Sequence, residues 1–307
     1  MMLPGGISPS TAAAGLVAIA LVAGTALDRR VPNEPVVRAG YRVLQADFHA
    51  HTRFSDGFLS PFDIVLQAQR RGLDVLAVTE HNTTGPGKMA RWFSGVVSGP
   101  IIVVGEEVTT NKYHLHGIGL SQTVHAGDPL PDVLAEIHRQ GGVAIAAHPV
   151  RRYWGAFNAQ IENIDATEVM HPLAFGQRGS DSWRWPDMRD FYEQAKANGH
   201  ELAAIGSSDY HAFSVLGVCR TLVFVEEPTA AGVIDAIKKK RTVVYDLDGK
   251  AYGDPELAKA LVADPVALAT PDYGYHGSGL ADRVTRTLGW LGMLGLALFG
   301  LRRRKTA

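Results

Sequence analysis

Histidine and carboxylate residues recur through this sequence at the ends of short apolar runs, and they come in pairs and threes. His49 and His51 flank Ala50 directly after an apolar stretch. Positions i and i+2 of a strand project to one face, so both imidazoles can reach one point. Asp56 follows in a Ser-Asp-Gly turn, and His81 stands in Thr79-Glu80-His81-Asn82. Glu107 sits in Gly105-Glu106-Glu107-Val108-Thr109, with His114 and His116 just beyond. His148 precedes Pro149, and Asp209 and His211 close Ser207-Ser208-Asp209-Tyr210-His211. One histidine at a strand end is most simply a hydrogen-bonded core or surface residue. Strand after strand ending in such groups is different, because burying them together without a cation costs several kcal/mol for each uncompensated charge. A mixed imidazole and carboxylate set suits Zn, Mn or Fe. A metal centre is therefore expected.

The chain that must position these groups has 307 residues and a net charge of −1, which argues against a general nucleic-acid binder. Its single cysteine, Cys219, excludes a disulfide framework and a thiolate-built zinc site, and is expected to be a packing residue. Strand-like runs at 43–48, 75–79, 101–104, 115–120, 143–147, 166–170, 202–205 and 221–225 alternate with helical stretches at 61–71, 130–140, 187–198 and 230–240. Ser60 and Thr229 are candidate N-caps, and Gly72, Gly141 and Gly199 are stops. Alternation of this kind predicts an α/β fold with a parallel sheet and outer helices. About seven units suit a barrel, whose chemistry gathers at the C-terminal strand ends.

Both ends carry apolar runs. Residues 11–27 hold no charge and are expected to form a signal peptide or membrane anchor within an N-terminal segment 1–30. The stretch 288–301 ends at Arg302-Arg303-Arg304-Lys305, which predicts a C-terminal transmembrane helix over 286–307 with a basic cytoplasmic tail. The domain between, 38–250, would then lie outside the cytoplasm, while Arg29 and Arg30 weakly oppose that orientation. Residues 251–285 read as a Gly-, Pro-, Asp- and Ala-rich linker or loosely packed appendage.

The runs DFHAHTRFSDG, TEHN, GEEVTT, AAHP and SSDYH resemble, in order and spacing, the polymerase and histidinol phosphatase (PHP) metallohydrolases. The resemblance covers residues 45–246 and implies a distorted seven-stranded β/α barrel with two or three divalent ions. It implies that His49, His51, Glu107 and Asp209 hold one ion, Glu107, His114 and His148 a second, and Asp56, His81 and His211 a third. Glu107 would bridge the first two, and His116 could replace His114, since the two share a face. The family tetrapeptide TDHN is here TEHN, so Glu80 is either an orienting acid or a surface residue.

Such ions generate a nucleophile from water, so no Ser or Cys nucleophile is required. His171 is a candidate leaving-group acid, or else a structural hydrogen-bonding residue. Arg151 and Arg152, following His148-Pro149, could grip a phosphate, or form a solvated basic loop. Trp183 and Trp185 could wall the substrate. The leading expectation is a phosphoesterase acting on a small phosphorylated molecule or nucleotide. The alternatives are a carbamate, ester or amide hydrolase of the same fold, often exported, and a non-catalytic metal-stabilised scaffold, against which the full ligand set argues.

Overall fold

The computed structural model describes residues 8–27, 35–175, 183–212, 214–265 and 280–303. The elements run α1 (Pro9–Leu27), β1 (Val37–Arg38), β2 (Tyr41–Asp47), α2 (Pro61–Arg70), β3 (Val75–Val78), α3 (Gly85–Val97), β4 (Ile101–Thr109), β5 (His114–Ile118), α4 (Leu130–Arg139) and β6 (Val143–Ala146). They continue with α5 (Trp154–Asn158), β7 (Ala166–Met170), α6 (Trp185–Ala197), β8 (Ala203–Gly206), β9 (Thr221–Val225), α7 (Ala230–Lys238), β10 (Thr242–Tyr245), β11 (Ala251–Gly253), α8 (Pro255–Ala263) and α9 (Leu280–Arg303). Two compact units result: 30–271, which holds the barrel, and the two terminal segments 1–29 and 272–307.

The barrel sheet has strand order β11-β10-β9-β2-β3-β4-β5-β6-β7-β8, with β1 paired to β2. It is nearly closed: a Cβ on Gly206 of β8 would lie 2.9 Å from Val244 of β10, so only glycine lets these strands approach. The expected all-parallel sheet is corrected. The β2–β3–β4 and β6–β7–β8 runs are parallel, but β5 is antiparallel to both neighbours and β9 to both β2 and β10. The reversal at β5 follows from the short Thr110–Tyr113 turn, where Tyr113 N–H donates to Thr110 Oγ1 at 3.1 Å. A turn that short can join only antiparallel strands.

Inward residues of the sheet, including Leu44, Val75, Val103, Ile145, Ala166, Ile205 and Val223, form one core cluster with Val233, Ile234 and Ile237 of α7. Ile234 also meets Gly119, just past β5, so α7 plugs the end of the barrel opposite the C-terminal ends of the parallel strands. Ser60 caps α2 through a capping box with Asp63, and Thr229 accepts from Gly232 N–H at 3.0 Å. The helix α3 is absent from the sequence-based expectation because it opens on Gly85-Pro86-Gly87, which reads as a turn. Proline suits the first helical turn, and a Cβ on Gly87 would lie 3.2 Å from Val78 O. The expected linker from 251 is also corrected. The strand β11 pairs with β10, and Leu257 and Leu261 of α8 enter a core cluster with Val43 and Phe224. Within 251–285, residues 266–279 lie outside the described residues.

In the terminal unit, α1 and α9 pack through small residues. Ala20 faces Gly289, and a Cβ on Gly292 would lie 2.8 Å from Ala13 O. Among the described residues no helix is long and apolar enough to cross a membrane. The expected C-terminal transmembrane helix is therefore not supported among the described residues. Asp282, Arg283 and Arg286 fall in the first turns of α9, leaving an apolar stretch of roughly four turns against the ~20 residues a span requires. Arg29, Arg30, Arg304 and Lys305 lie outside the described residues.

Candidate metal centre

The strand alternation that makes the sheet also sorts its charged groups. Glu107 projects into the barrel mouth while Glu106, one residue earlier, projects outward. Glu107 is buried and receives histidines from four directions. Its Oε1 lies 2.9 Å from His114 Nδ1 and 3.0 Å from His148 Nε2. Its Oε2 lies 2.9 Å from His81 Nδ1, 3.5 Å from His51 Nε2 and 3.7 Å from His49 Nε2. Asp209 Oδ1 lies 3.0 Å from His49 Nε2 and 3.5 Å from His51 Nε2, and those two nitrogens are 2.9 Å apart. Asp56 Oδ2 lies 3.3 Å from His81 Nε2 and 3.2 Å from His211 Nε2, with His51 Nδ1 at 3.8 Å from Oδ1. All nine residues expected as ligands thus converge at one end of the barrel. They sit in groups that can hold metal ions: His49, His51 and Glu107; His49, His148 and Asp209; Glu107, His114 and His148; and His51, Asp56, His81 and His211.

The reversed strand explains the odd placement of His114. It opens β5 rather than ending it, and because β5 runs backwards its first residue lies at the mouth. His114, not His116, reaches Glu107. His116 lies deeper, edge-on to His49 with ring centroids 4.0 Å apart, and neither of its nitrogens has a hydrogen-bond partner. Burial, then the neighbouring His49, holds it neutral, well below the ordinary histidine range.

The donor set fits divalent ions. Two imidazole Nε2 atoms 2.9 Å apart, both facing the same carboxylate oxygens, repel unless a proton or cation lies between them. Burial would raise the Glu107 carboxyl, but His49, His114 and His148 outweigh it and hold it well below the usual range. Burial opposes ionisation of Asp209 too, and His49 and His171 reverse it. The acids are thus ionised, and their partners are the nitrogen donors that Zn, Mn and Fe take. Strain gathers at the same place: His148 has φ 25°, Asp209 43° and Asn82 54°, values that non-glycine residues rarely adopt.

Several residues support these ligands, and all but Glu80 go unassigned in the sequence reading. Asp47, in the DFHAH run, accepts from the backbone N–H groups of Ser208 (3.0 Å), Gly217 (2.7 Å) and His49 (3.3 Å). It ties the end of β2 to the loop that carries Asp209 and His211. Its place two residues before His49 was the available signal. Glu168, on β7, lies 3.0 Å from His49 Nδ1. Glu80 is buried, not on the surface, and accepts from Thr52 N–H, holding the turn after His51. Asn82 Oδ1 accepts from Thr109 N–H at 2.9 Å, and Thr109 Oγ1 lies 2.6 Å from His81 Nδ1.

Two residues expected to take part in catalysis are engaged otherwise. Leu173 N–H donates to His171 Nδ1 at 3.3 Å, so the ring proton sits on Nε2 and donates to Asp209 Oδ2 at 3.1 Å. His171 is buried and steadies Asp209, so its proton is not free for a leaving group. Arg151 turns away: its guanidinium lies 3.9 Å above the Trp154 ring and pairs with Asp187 at 3.7 Å and Asp190 at 3.6 Å on α6. Residues 151–153 form a single tight helical turn, so neighbouring side chains diverge. Arg152 instead lies over the rings of Tyr153 and Trp183, 4.6 Å from each. Tyr153 stacks on His114 at 5.3 Å, and Trp183 meets His148 edge-on at 4.8 Å. Trp185 donates to Val169 O at 3.0 Å and is a packing residue, as is the buried Cys219.

Glu106 supplies a test of the register. Burial raises its carboxyl to about 7, against partial relief from Val124 N–H and Lys88. A carboxyl raised in the folded state favours folding fully below the unfolded value near 4.5, and that contribution is lost as pH rises to about 7. Glu106→Gln, which mimics the protonated form, is therefore expected to melt above the wild type at pH 8 and to lose the advantage near pH 4.5. Calorimetry at the two pH values checks this. A variant less stable at pH 8 would contradict it.

Comparison with known proteins agrees with this geometry. The PHP-associated family model matches residues 194–242. An uncharacterised protein of Methanocaldococcus jannaschii is 29% identical over 141 residues, 41% of this chain and 80% of that one. The 3′,5′-nucleoside bisphosphate phosphatase of Chromobacterium violaceum is 27% identical over 161 residues, 48% of this chain and 53% of the phosphatase, about half its length. Among solved structures, a two-domain protein from Bacteroides vulgatus, containing a domain predicted to be a PHP-like metal-dependent phosphoesterase, superposes with a TM-score of 0.59 at 22% identity. The match covers 76% of this chain and 74% of that one.

The fold is thus a nearly closed α/β barrel that gathers at its mouth a His, Asp and Glu cluster able to hold metal ions. The chain is similar to PHP proteins, in fold and in the 194–242 segment that the PHP-associated model matches.

Proposed function

We propose that the chain is a phosphoesterase acting on a small phosphorylated substrate. The observation that carries this reading is Arg152. It rides on the two aromatic rings that back His114 and His148, and its Nη2 donates to Tyr153 Oη at 2.7 Å. A fixed guanidinium beside the cluster is suited to the oxygens of a phosphate, which it can grip through two N–H groups. Ions held by these residues would lower the pKa of water and neutralise substrate oxygens. The chain's own groups do the rest. Glu107 and Asp209 stay ionised, His171 and Asp47 fix the loop beneath them, and Tyr153 and Trp183 wall one side of the site. The named activity of the Chromobacterium violaceum relative lends support.

The test is turnover of aryl phosphate mono- and diesters against aryl acetates and aryl carbamates, with added Mn or Zn. Phosphate ester turnover is expected to dominate. Turnover of carboxyl esters or carbamates alone would favour the second reading of the fold.

Arg152→Ala is expected to lower kcat/KM for phosphate esters by roughly 10- to 100-fold, mostly through KM, the scale of losing a charge-assisted hydrogen bond. Arg151→Ala is expected to stay within about threefold, as its guanidinium is occupied by α6, where exposed ion pairs contribute little. Equal losses in the two variants would remove Arg152 from the substrate site.

A further inference from the structure

We propose that Glu168 is a positioning residue that aims one ligand of each of two ion sites, His49 in the first and His148 in the second. The proposal rests on the metal-centre reading and goes beyond it, since Glu168 is not among the nine ligands named there and meets the cluster through His49 Nδ1 and the His148 backbone.

Glu168 projects from β7 into the barrel beneath the cluster and is fully buried. Its two oxygens serve different strand ends. Oε1 lies 3.0 Å from His49 Nδ1 and also accepts from Ser207 Oγ. Oε2 accepts from the backbone N–H of His148 at 2.5 Å.

At His49 the consequence is a choice of tautomer. A carboxylate opposite Nδ1 makes that nitrogen the protonated one, which leaves the Nε2 lone pair facing Asp209 and His51. His116 packs against the ring with centroids 4.0 Å apart, which leaves the imidazole little room to turn.

At His148 the consequence is a backbone conformation. His148 Nδ1 has no hydrogen-bond partner, so no side-chain bond orients the ring. Its direction comes from the main chain, held at φ 25°. Such a conformation persists only where the surroundings impose it. The bond to Glu168 Oε2 and the Val150 N–H to His148 O bond at 2.6 Å are the restraints on that turn, and Nε2 thereby comes to 3.0 Å from Glu107 Oε1.

An amide cannot do both tasks. Glu168→Gln keeps one acceptor and turns the other oxygen into a donor. Whichever way the amide is turned, its NH2 group meets either His49 Nδ1–H or His148 N–H. Ser207→Ala removes only a donor to Oε1 and leaves both aimed ligands in place.

The experiment is a cobalt(II) titration of the full chain, followed by visible absorption and by ion content after gel filtration. Glu168→Gln is expected to weaken cobalt binding by 10- to 100-fold at one site or both and to alter the absorption spectrum, the scale of losing a hydrogen bond that orients a ligand. Ser207→Ala is expected to keep the wild-type spectrum. Wild-type affinity and spectrum in Glu168→Gln would overturn the proposal. Should that variant fail to fold, the zinc-loaded wild type decides by long-range proton–nitrogen NMR of the histidine rings. A His49 proton on Nδ1 is expected, and one on Nε2 overturns the assignment. A wild-type chain that takes up no cobalt would instead sink the metal-centre reading beneath it.

Discussion

Glu107→Gln is expected to lower kcat/KM by several orders of magnitude and to cost the protein at least one bound ion, while Glu106→Gln keeps near-normal activity. The two residues are adjacent and chemically identical, so alternation along β4 alone separates them. Glu107 places one oxygen against His114 and His148 and the other against His81, His51 and His49, so every group of candidate ligands meets at this carboxylate. Glutamine keeps its size but removes the charge shared by neighbouring cations. Their repulsion then expels an ion, and with it the source of the nucleophile. Glu106 faces the other way and accepts from Val124 N–H at 2.5 Å, a bond that glutamine can also accept. Kinetics and ion content for both variants check the expectation. A dead Glu106→Gln beside an active Glu107→Gln would mean that the strand register is wrong by one residue.

Stripping the metal is expected to abolish turnover reversibly and to lower the melting temperature. Ligand bound only to the folded state contributes about 4 kcal/mol at 1,000 times its Kd, and a barrel of this size shifts by roughly 10 °C for that amount. The structure gives the loss its cause. Without ions, His49, His51, Glu107 and Asp209 hold their lone pairs and charges against one another in a buried space. Chelator treatment, then addition of Mn or Zn, with activity and calorimetry at each stage, checks this. Full activity after exhaustive chelation would contradict it.

The sequence disclosed the site better than it disclosed the sheet. His49 and His51 were readable because a two-residue spacing on a strand fixes a shared face, while Glu107 was separated from Glu106 by the spacing of the family motif it resembles. Local chemistry also held: Ser60 and Thr229 cap helices as their types predict. Strand direction was not readable, because apolar runs such as 115–120 look the same in either sense. That choice rests on the short turn before β5 and on β9 pairing with the distant β2. Nor was the helix α3, whose Gly-Pro-Gly opening imitates a loop. Alternation gives no guidance inside a tight helical turn, which is why Arg151 and Arg152 could not be told apart. Asp47 and Glu168 escaped notice because they act through His49, Ser208 and His148, partners that only the closed barrel brings to them.

The most direct test of the central claim is anomalous diffraction from crystals of the full chain grown with Zn or Mn. Two or three ions are expected at the barrel mouth, with Glu107 touching two of them. A map with no ion at Glu107, from protein that hydrolyses its substrate, would contradict it.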